Sequence, residues 1–138
     1  MIKRMGAMLS LLCVAVMMQA QIHEPIKCEA SWAMVGEGVA ELRIAAKIDA
    51  GWHVYSTDLP EGGPISATFN VDQIEGLELD GKLMPEGKEI ESFDKVFDMK
   101  LRYFEEKAVF VQKLKITGAN YFIEGYLQYG SCNDENCL

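Results

Sequence analysis

Three observations place this 138-residue chain in the all-β class, as a sandwich of short strands. Its apolar residues alternate with a period of two, turn residues interrupt them at near-regular intervals, and beyond the first twenty positions no stretch keeps the i, i+3, i+4, i+7 spacing of a substantial helix. At 49% hydrophobic and 25% charged residues, the composition is that of one globular domain with a modest core.

The chain opens on MIKRMGAMLSLLCVAVMMQA, with Lys3 and Arg4 ahead of an uncharged apolar run ending at Ala20. This reads as a secretory signal peptide over residues 1–20, too short and wrongly flanked for a membrane span. Cleavage there leaves a single domain over 21–138. It also removes two positive charges and no acidic ones, taking the formal charge from −8 to −10. So acidic a chain is a poor match for nucleic acid or an anionic membrane surface.

The strands follow in order. In GVAELRIAAKI (38–48), Ala40, Leu42, Ile44, Ala46 and Ile48 share one face, opposite Glu41, Arg43 and Lys47. Asp49-Ala50-Gly51 turns the chain into WHVYS (52–56); ISATFNV (65–71) and LELDGKL (77–83) come next. VFDMKLRYF (96–104) alternates again, Glu105-Glu106-Lys107 connects it to AVFVQKLKI (108–116), and Gly118-Ala119-Asn120 leads to YFIEGYLQYG (121–130). Such a series of seven or eight strands predicts an immunoglobulin-like sandwich in the broad sense, with Trp32 and Trp52 as core anchors.

The chain ends on YGSCNDENCL, where Cys132 and Cys137 bracket four polar residues. After removal of the leader the remaining cysteine is Cys28, read as an incidental strand residue whose thiol stays free. A zinc site at the pair lacks ligands, since a structural zinc takes four and the mature chain offers only His23 and His53 besides its cysteines. No metal and no cofactor is expected. A structural staple over so short a loop is worth about 2 kcal/mol, against about 4.7 for a hundred-residue loop. The other reading is a redox pair, exposed at a loop and open to a partner's thiolate. Asp134 and Glu135 add negative charge and no cation, so nothing local lowers a thiol pKa. Spacing alone leaves staple and redox pair both standing.

The order of AGWHVYS, LPEGGPISATF, SFDKVFDMKLRYFEEKAVFVQKL and LQYGSCNDENCL resembles the N-terminal periplasmic domain of the DsbD thiol:disulfide interchange proteins, over roughly residues 25 to 138. The resemblance implies an immunoglobulin-like domain in the periplasm that relays electrons as a protein-disulfide reductase. It would take them from a membrane donor of the DsbD type through a thioredoxin-like domain. It would pass them to thioredoxin-fold proteins such as disulfide isomerases and cytochrome c maturation factors. It further implies that Cys137 forms the mixed disulfide with partners and Cys132 resolves it. Phe93 falls where the family has a cap loop whose aromatic ring covers the disulfide. Tyr55 and His53 match aromatic positions near the family's active site, with His53 able to assist proton movement. On the residues alone, Phe93 and Phe97 read as strand or core residues and His53 as a surface histidine.

Four residues separate the cysteines here, where better-known members have five. The family also continues past the second cysteine with prolines and a strand that completes the hairpin. The chain is therefore expected to be a fragment of a longer product or to lack that strand, leaving Gln128 to Cys132 as an unpaired edge. A secreted immunoglobulin-like binding module with an inert Cys132–Cys137 disulfide is the competing function, because the fold alone does not select one.

Overall fold

Alternation becomes pairing in the computed structural model, which describes residues 24–138; the leader expected over 1–20 lies outside the described residues. Ten strands run β1 (Ile26–Gly36), β2 (Val39–Ile48), β3 (His53–Tyr55), β4 (Thr68–Glu75), β5 (Leu77–Glu86), β6 (Ile90–Asp94), β7 (Met99–Phe104), β8 (Lys107–Ile116), β9 (Phe122–Gln128) and β10 (Ser131–Cys132), with no helix among the described residues. They form an antiparallel sheet β1-β2-β8-β5, a second sheet β10-β3-β7-β6 and a ribbon β4-β9.

The core is the interior between the first sheet and the other two. Ile26, Ala46, Ile48, Leu83, Ala108 and Phe110 of the first sheet meet Val54 and Phe104 of the second, with Phe69 and Leu127 of the ribbon packed alongside. Phe110 is fully buried and sets its ring edge-on to Phe104, centroids 6.0 Å apart. Trp52 packs half-buried against this core, as the sequence suggested.

Trp32 does not. It is 37% exposed and stacks on Tyr121 at 5.9 Å. The reason is the position of β1 at a sheet edge, where only Ile26 is buried and every later residue of the strand is exposed. Between β1 and β9 lies an open apolar groove of about 480 Å³, lined by Cys28, Ala30, Leu42, Ile123 and Leu127 among others.

Other departures concern borders. The strand expected at 96–104 is a turn at 95–98 followed by β7, and the segment before it forms β6, so two strands and a turn replace one strand. Asp98 at the end of that turn has φ 55°, a conformation that aspartate tolerates and that closes the turn before Met99 pairs with Asp94. The strand expected at 65–71 lies at 68–75, because Ile65 and Ser66 stay in the loop, where the Ser66 hydroxyl accepts the Leu59 N–H at 2.9 Å. Glu106, with φ 64°, makes the tight β7–β8 connection anticipated at Glu105-Glu106-Lys107.

Two glycines separate backbone conformation from crowding. Gly76 has φ 61° and a Cβ there would sit 2.1 Å from the Asn120 carbonyl oxygen, whereas Gly81 has φ 79° with open space around it. Gly81→Ala is expected to lose about 1–2 kcal/mol, the left-handed backbone term alone. Gly76→Ala should lose clearly more, because the ribbon must also move off the start of β5. Denaturant unfolding of the two variants checks this; equal losses would show that the contact yields freely.

Candidate functional site

The disulfide follows from hairpin geometry. Ser131 and Leu138 exchange backbone hydrogen bonds (Leu138 N to Ser131 O 2.8 Å, Ser131 N to Leu138 O 3.4 Å), and Asn133 N donates to Asn136 O at 2.8 Å. Cys132 and Cys137 are therefore the non-hydrogen-bonded pair between two hydrogen-bonded ones, the place where facing Cα atoms come closest. They lie 4.1 Å apart and the sulfurs are bonded, while Cys28 is free. Asn133 also shapes the tip, its side-chain oxygen accepting the N–H groups of Glu135 (2.9 Å) and Asn136 (2.5 Å). The edge expected over Gln128 to Cys132 is covered only at the hairpin: β9 pairs with β4 alone and β10 ends its sheet, with Leu138 and Cys137 facing Ser131 and Cys132. Gln128 pairs with Thr68, Ser131 with Val54, and Cys132 with His53, while Ser131 also holds Leu138.

The two cysteines differ in exposure. Cys132 is 4% exposed and belongs to a buried cluster with Tyr55 and Leu101, whereas Cys137 is exposed on the return of the hairpin.

Register decides what surrounds Cys132. It stands opposite His53, Tyr55 opposite Tyr103, Leu101 opposite Ser92, and Met99 opposite Asp94. Residues directly opposite share a face and successive residues alternate, so all of these lie on one face of the second sheet. Val54 and Phe104 lie on the other face, in the core. The sheet thus turns one face to the core and builds the site on its other.

On the site face the polar groups are joined. The Tyr55 hydroxyl donates to Asp94 Oδ2 at 2.9 Å and lies 3.1 Å from His53 Nε2. Asp94 Oδ1 accepts the N–H of Val96 (2.8 Å) and of Phe97 (3.2 Å), holding the turn at 95–98. The Ser92 and Tyr103 hydroxyls are 3.1 Å apart, and the rings of His53 and Tyr103 are 4.8 Å apart. Burial pushes the Tyr55 phenol well above its ordinary range, and the bond to the Asp94 carboxylate adds to the effect. Burial also pulls the His53 pKa below its usual value, partly offset by the negative charges of Asp94, Glu105 and Asp134.

Of the residues singled out from sequence, Cys132, His53 and Tyr55 come together. Phe93 does not join them. It pairs with Lys100, which puts it on the opposite face from Cys132, and it is 58% exposed. Phe97, carried across by the Asp94-held turn, packs against the Cys132 cluster and meets the Tyr55 ring edge-on at 6.0 Å. Sequence reasoning missed Asp94, although an aspartate two and three residues before the N–H groups of a turn is a usable signal. Cys28 sits free on β1 in the other sheet, its pKa raised by burial and partly lowered again by hydrogen bonding with Tyr129.

Fold and site together define an immunoglobulin-like sandwich carrying a disulfide hairpin on the outer face of one sheet. No family model and no curated protein matches the chain. Among solved structures it is similar to the N-terminal periplasmic domain of ScsB from Proteus mirabilis, with a TM-score of 0.58 and 16% identity. The match covers 84% of this chain and 43% of that one, so the chain spans less than half of that structure's length. The likeness is one of fold, and it is the fold that the resemblance to DsbD N-terminal domains implied.

Two outcomes are expected. Phe97→Ala should raise the rate at which a small thiol opens the disulfide severalfold and lose less than the about 3–5 kcal/mol of a fully buried Phe→Ala change, while Phe93→Ala leaves the rate as it is. The reverse ranking in stopped-flow reduction would return the shielding role to Phe93. Second, because the folded-state pKa of His53 lies below its unfolded value, the unfolded chain binds more protons between the two. Stability should therefore fall as pH drops from about 6.5 toward the folded value, and His53→Gln should flatten that part of the curve.

Proposed function

We propose that this domain exchanges thiols and disulfides through Cys132 and Cys137, relaying reducing equivalents in the periplasm to thioredoxin-fold clients. The observation that carries this reading is the unequal exposure of the two cysteines. Exchange begins with a thiolate approaching in line with the S–S bond, so the exposed Cys137 sulfur is the one a partner reaches. Cys132, 4% exposed and backed by Tyr55 and Leu101, is then the leaving and resolving thiol. The fold shared with a periplasmic domain supports the same reading.

Electrons come from a membrane donor of the DsbD type, and the clients are thioredoxin-fold proteins of the disulfide-isomerase and cytochrome c maturation classes. Reduction runs in balanced steps. A donor thiolate attacks Cys137 Sγ, the Cys132–Cys137 bond breaks and Cys132 leaves as a thiolate that takes up a proton. The donor's second thiolate then displaces Cys137, and the donor is left with its own disulfide. Delivery to a client is the reverse sequence, with Cys137 attacking the client disulfide. Exposed Asp134 and Glu135 at the hairpin tip disfavour a free thiolate, which makes the exchange depend on a docked partner.

Removing the resolving thiol should strand the intermediate. Cys132→Ser is expected to accumulate a covalent adduct with a thioredoxin-fold protein whose own resolving cysteine is absent, and Cys137→Ser to give none. Non-reducing electrophoresis and peptide mapping of the adduct check this. Adducts formed equally by both variants would remove the assigned order, and no adduct from either would favour the inert disulfide of a binding module.

A further inference from the structure

The resolving thiol, Cys132, has to lose a proton in a buried place. Of the groups around it, Tyr55 has its phenol proton committed to Asp94, and the Tyr103 hydroxyl is engaged with Ser92. Asp94 already accepts from Tyr55, Val96 and Phe97. Asp134 and Glu135 are exposed at the hairpin tip. His53 is different. It stands directly opposite Cys132 on the same sheet face, half-buried.

The hydrogen-bond chain also determines which nitrogen of His53 is available. An ionised carboxylate only accepts, so the single Tyr55 hydroxyl proton points to Asp94 Oδ2. The Tyr55 oxygen therefore presents a lone pair to His53 Nε2, 3.1 Å away, and Nε2 must carry the ring proton. That leaves Nδ1 with its lone pair. The edge-on packing of His53 on Tyr55 (5.1 Å) and its tilted packing on Tyr103 (4.8 Å) fix the ring plane.

We infer that His53 Nδ1 accepts the proton of the Cys132 thiol in the resolving step, with Tyr55 and Asp94 acting as positioning residues that hold the imidazole. The inference rests on the exchange function proposed above. In that step the Cys132 proton moves to Nδ1 and the Cys132 thiolate attacks Cys137 Sγ. The Cys132–Cys137 bond forms, the bond from Cys137 to the client breaks, and the client leaves as a thiolate. The imidazolium then returns its proton to that thiolate or to water. The pair is oxidised and the client reduced, with no further reactant. Burial keeps the imidazole neutral at neutral pH, against the pull of Asp94 on β6, Glu105 after β7 and Asp134 in the hairpin, so the acceptor is ready before the thiol is.

A chromogenic disulfide isolates the step without any protein partner. Reduced protein spanning residues 21–138 and carrying Cys28→Ser is mixed with one equivalent of 5,5′-dithiobis(2-nitrobenzoate). Exposed Cys137 releases the first thionitrobenzoate, and ring closure by Cys132 releases the second in a phase independent of reagent concentration. In the otherwise unaltered chain the rate of this second phase should rise with pH through an inflection below about 6.5. His53→Gln should abolish that inflection and slow closure at pH 7 by about tenfold or more, the low end of what a positioned base contributes. Tyr55→Phe and Asp94→Asn should each slow it severalfold with the inflection retained, since the imidazole stays but loses its support. An unchanged profile in His53→Gln overturns the inference, and so does a uniform slowing that keeps the inflection, which is what a purely structural role produces. If His53→Gln does not fold, Tyr55→Phe decides, and a rate equal to the parent's is then the negative outcome. A parent chain that never releases the second thionitrobenzoate would sink the exchange function itself, whereas closure that is indifferent to His53 leaves that function standing.

Discussion

β3 is three residues long and everything at the disulfide depends on its being paired on both sides, with β7 on one edge and β10 on the other. Val54 and Tyr55 are both buried, on opposite faces of the same strand. A slip of one residue would send Tyr55 toward the core and Val54 toward the disulfide, so burial on both faces specifies the register strongly. The C-terminal end of the strand is also tied. Tyr55 N donates to the Gly130 carbonyl at 3.0 Å, and a Cβ at Gly130 would stand 3.1 Å from the Ile65 carbonyl oxygen and 3.4 Å from the Tyr55 ring. Beyond the strand, Ser56 N donates to the Arg102 carbonyl at 2.9 Å and its hydroxyl to Glu89 at 2.6 Å, while the Arg102 guanidinium binds the Thr57 and Asp58 carbonyls.

The same constraint explains why a polar network sits on the outer face. A buried phenol without a partner is destabilising by about 1–3 kcal/mol, and Asp94 removes that penalty while also organising the turn that brings Phe97 over the cluster. Among the described residues no buried side-chain nitrogen or oxygen lacks a partner. The site is thus packed where Cys132 resides and exposed at Cys137. That division suits exchange chemistry, in which one sulfur must be reached and the other held ready.

The rest of the sandwich contrasts with this. β1 has the alternation of a half-buried strand but little to bury it against, and its apolar side chains border the groove shared with β9. Its unpaired edge carries Lys27 and Glu29, charges that discourage strand addition.

What the sequence determined by itself is the class and the local chemistry. Period-two patterning identified β2, β7, β8 and β9 within a few residues, turn residues marked their ends, and the short separation of Cys132 and Cys137 made their pairing with each other the expected outcome. These are properties of neighbours along the chain, and local sterics and loop closure suffice for them. Tertiary structure decided what depends on register between distant strands. Alternation says that Phe93 and Asp94 point to opposite faces, but only the chain of pairings from β6 through β7 and β3 to the distant β10 says which of them faces the disulfide, and it is Asp94. Likewise Trp32 alternates as a core residue would, yet its strand lies at an edge where the opposing layer stands away. A side chain's face is written in its own strand. Which face becomes core and which becomes site is set by strands tens of residues away.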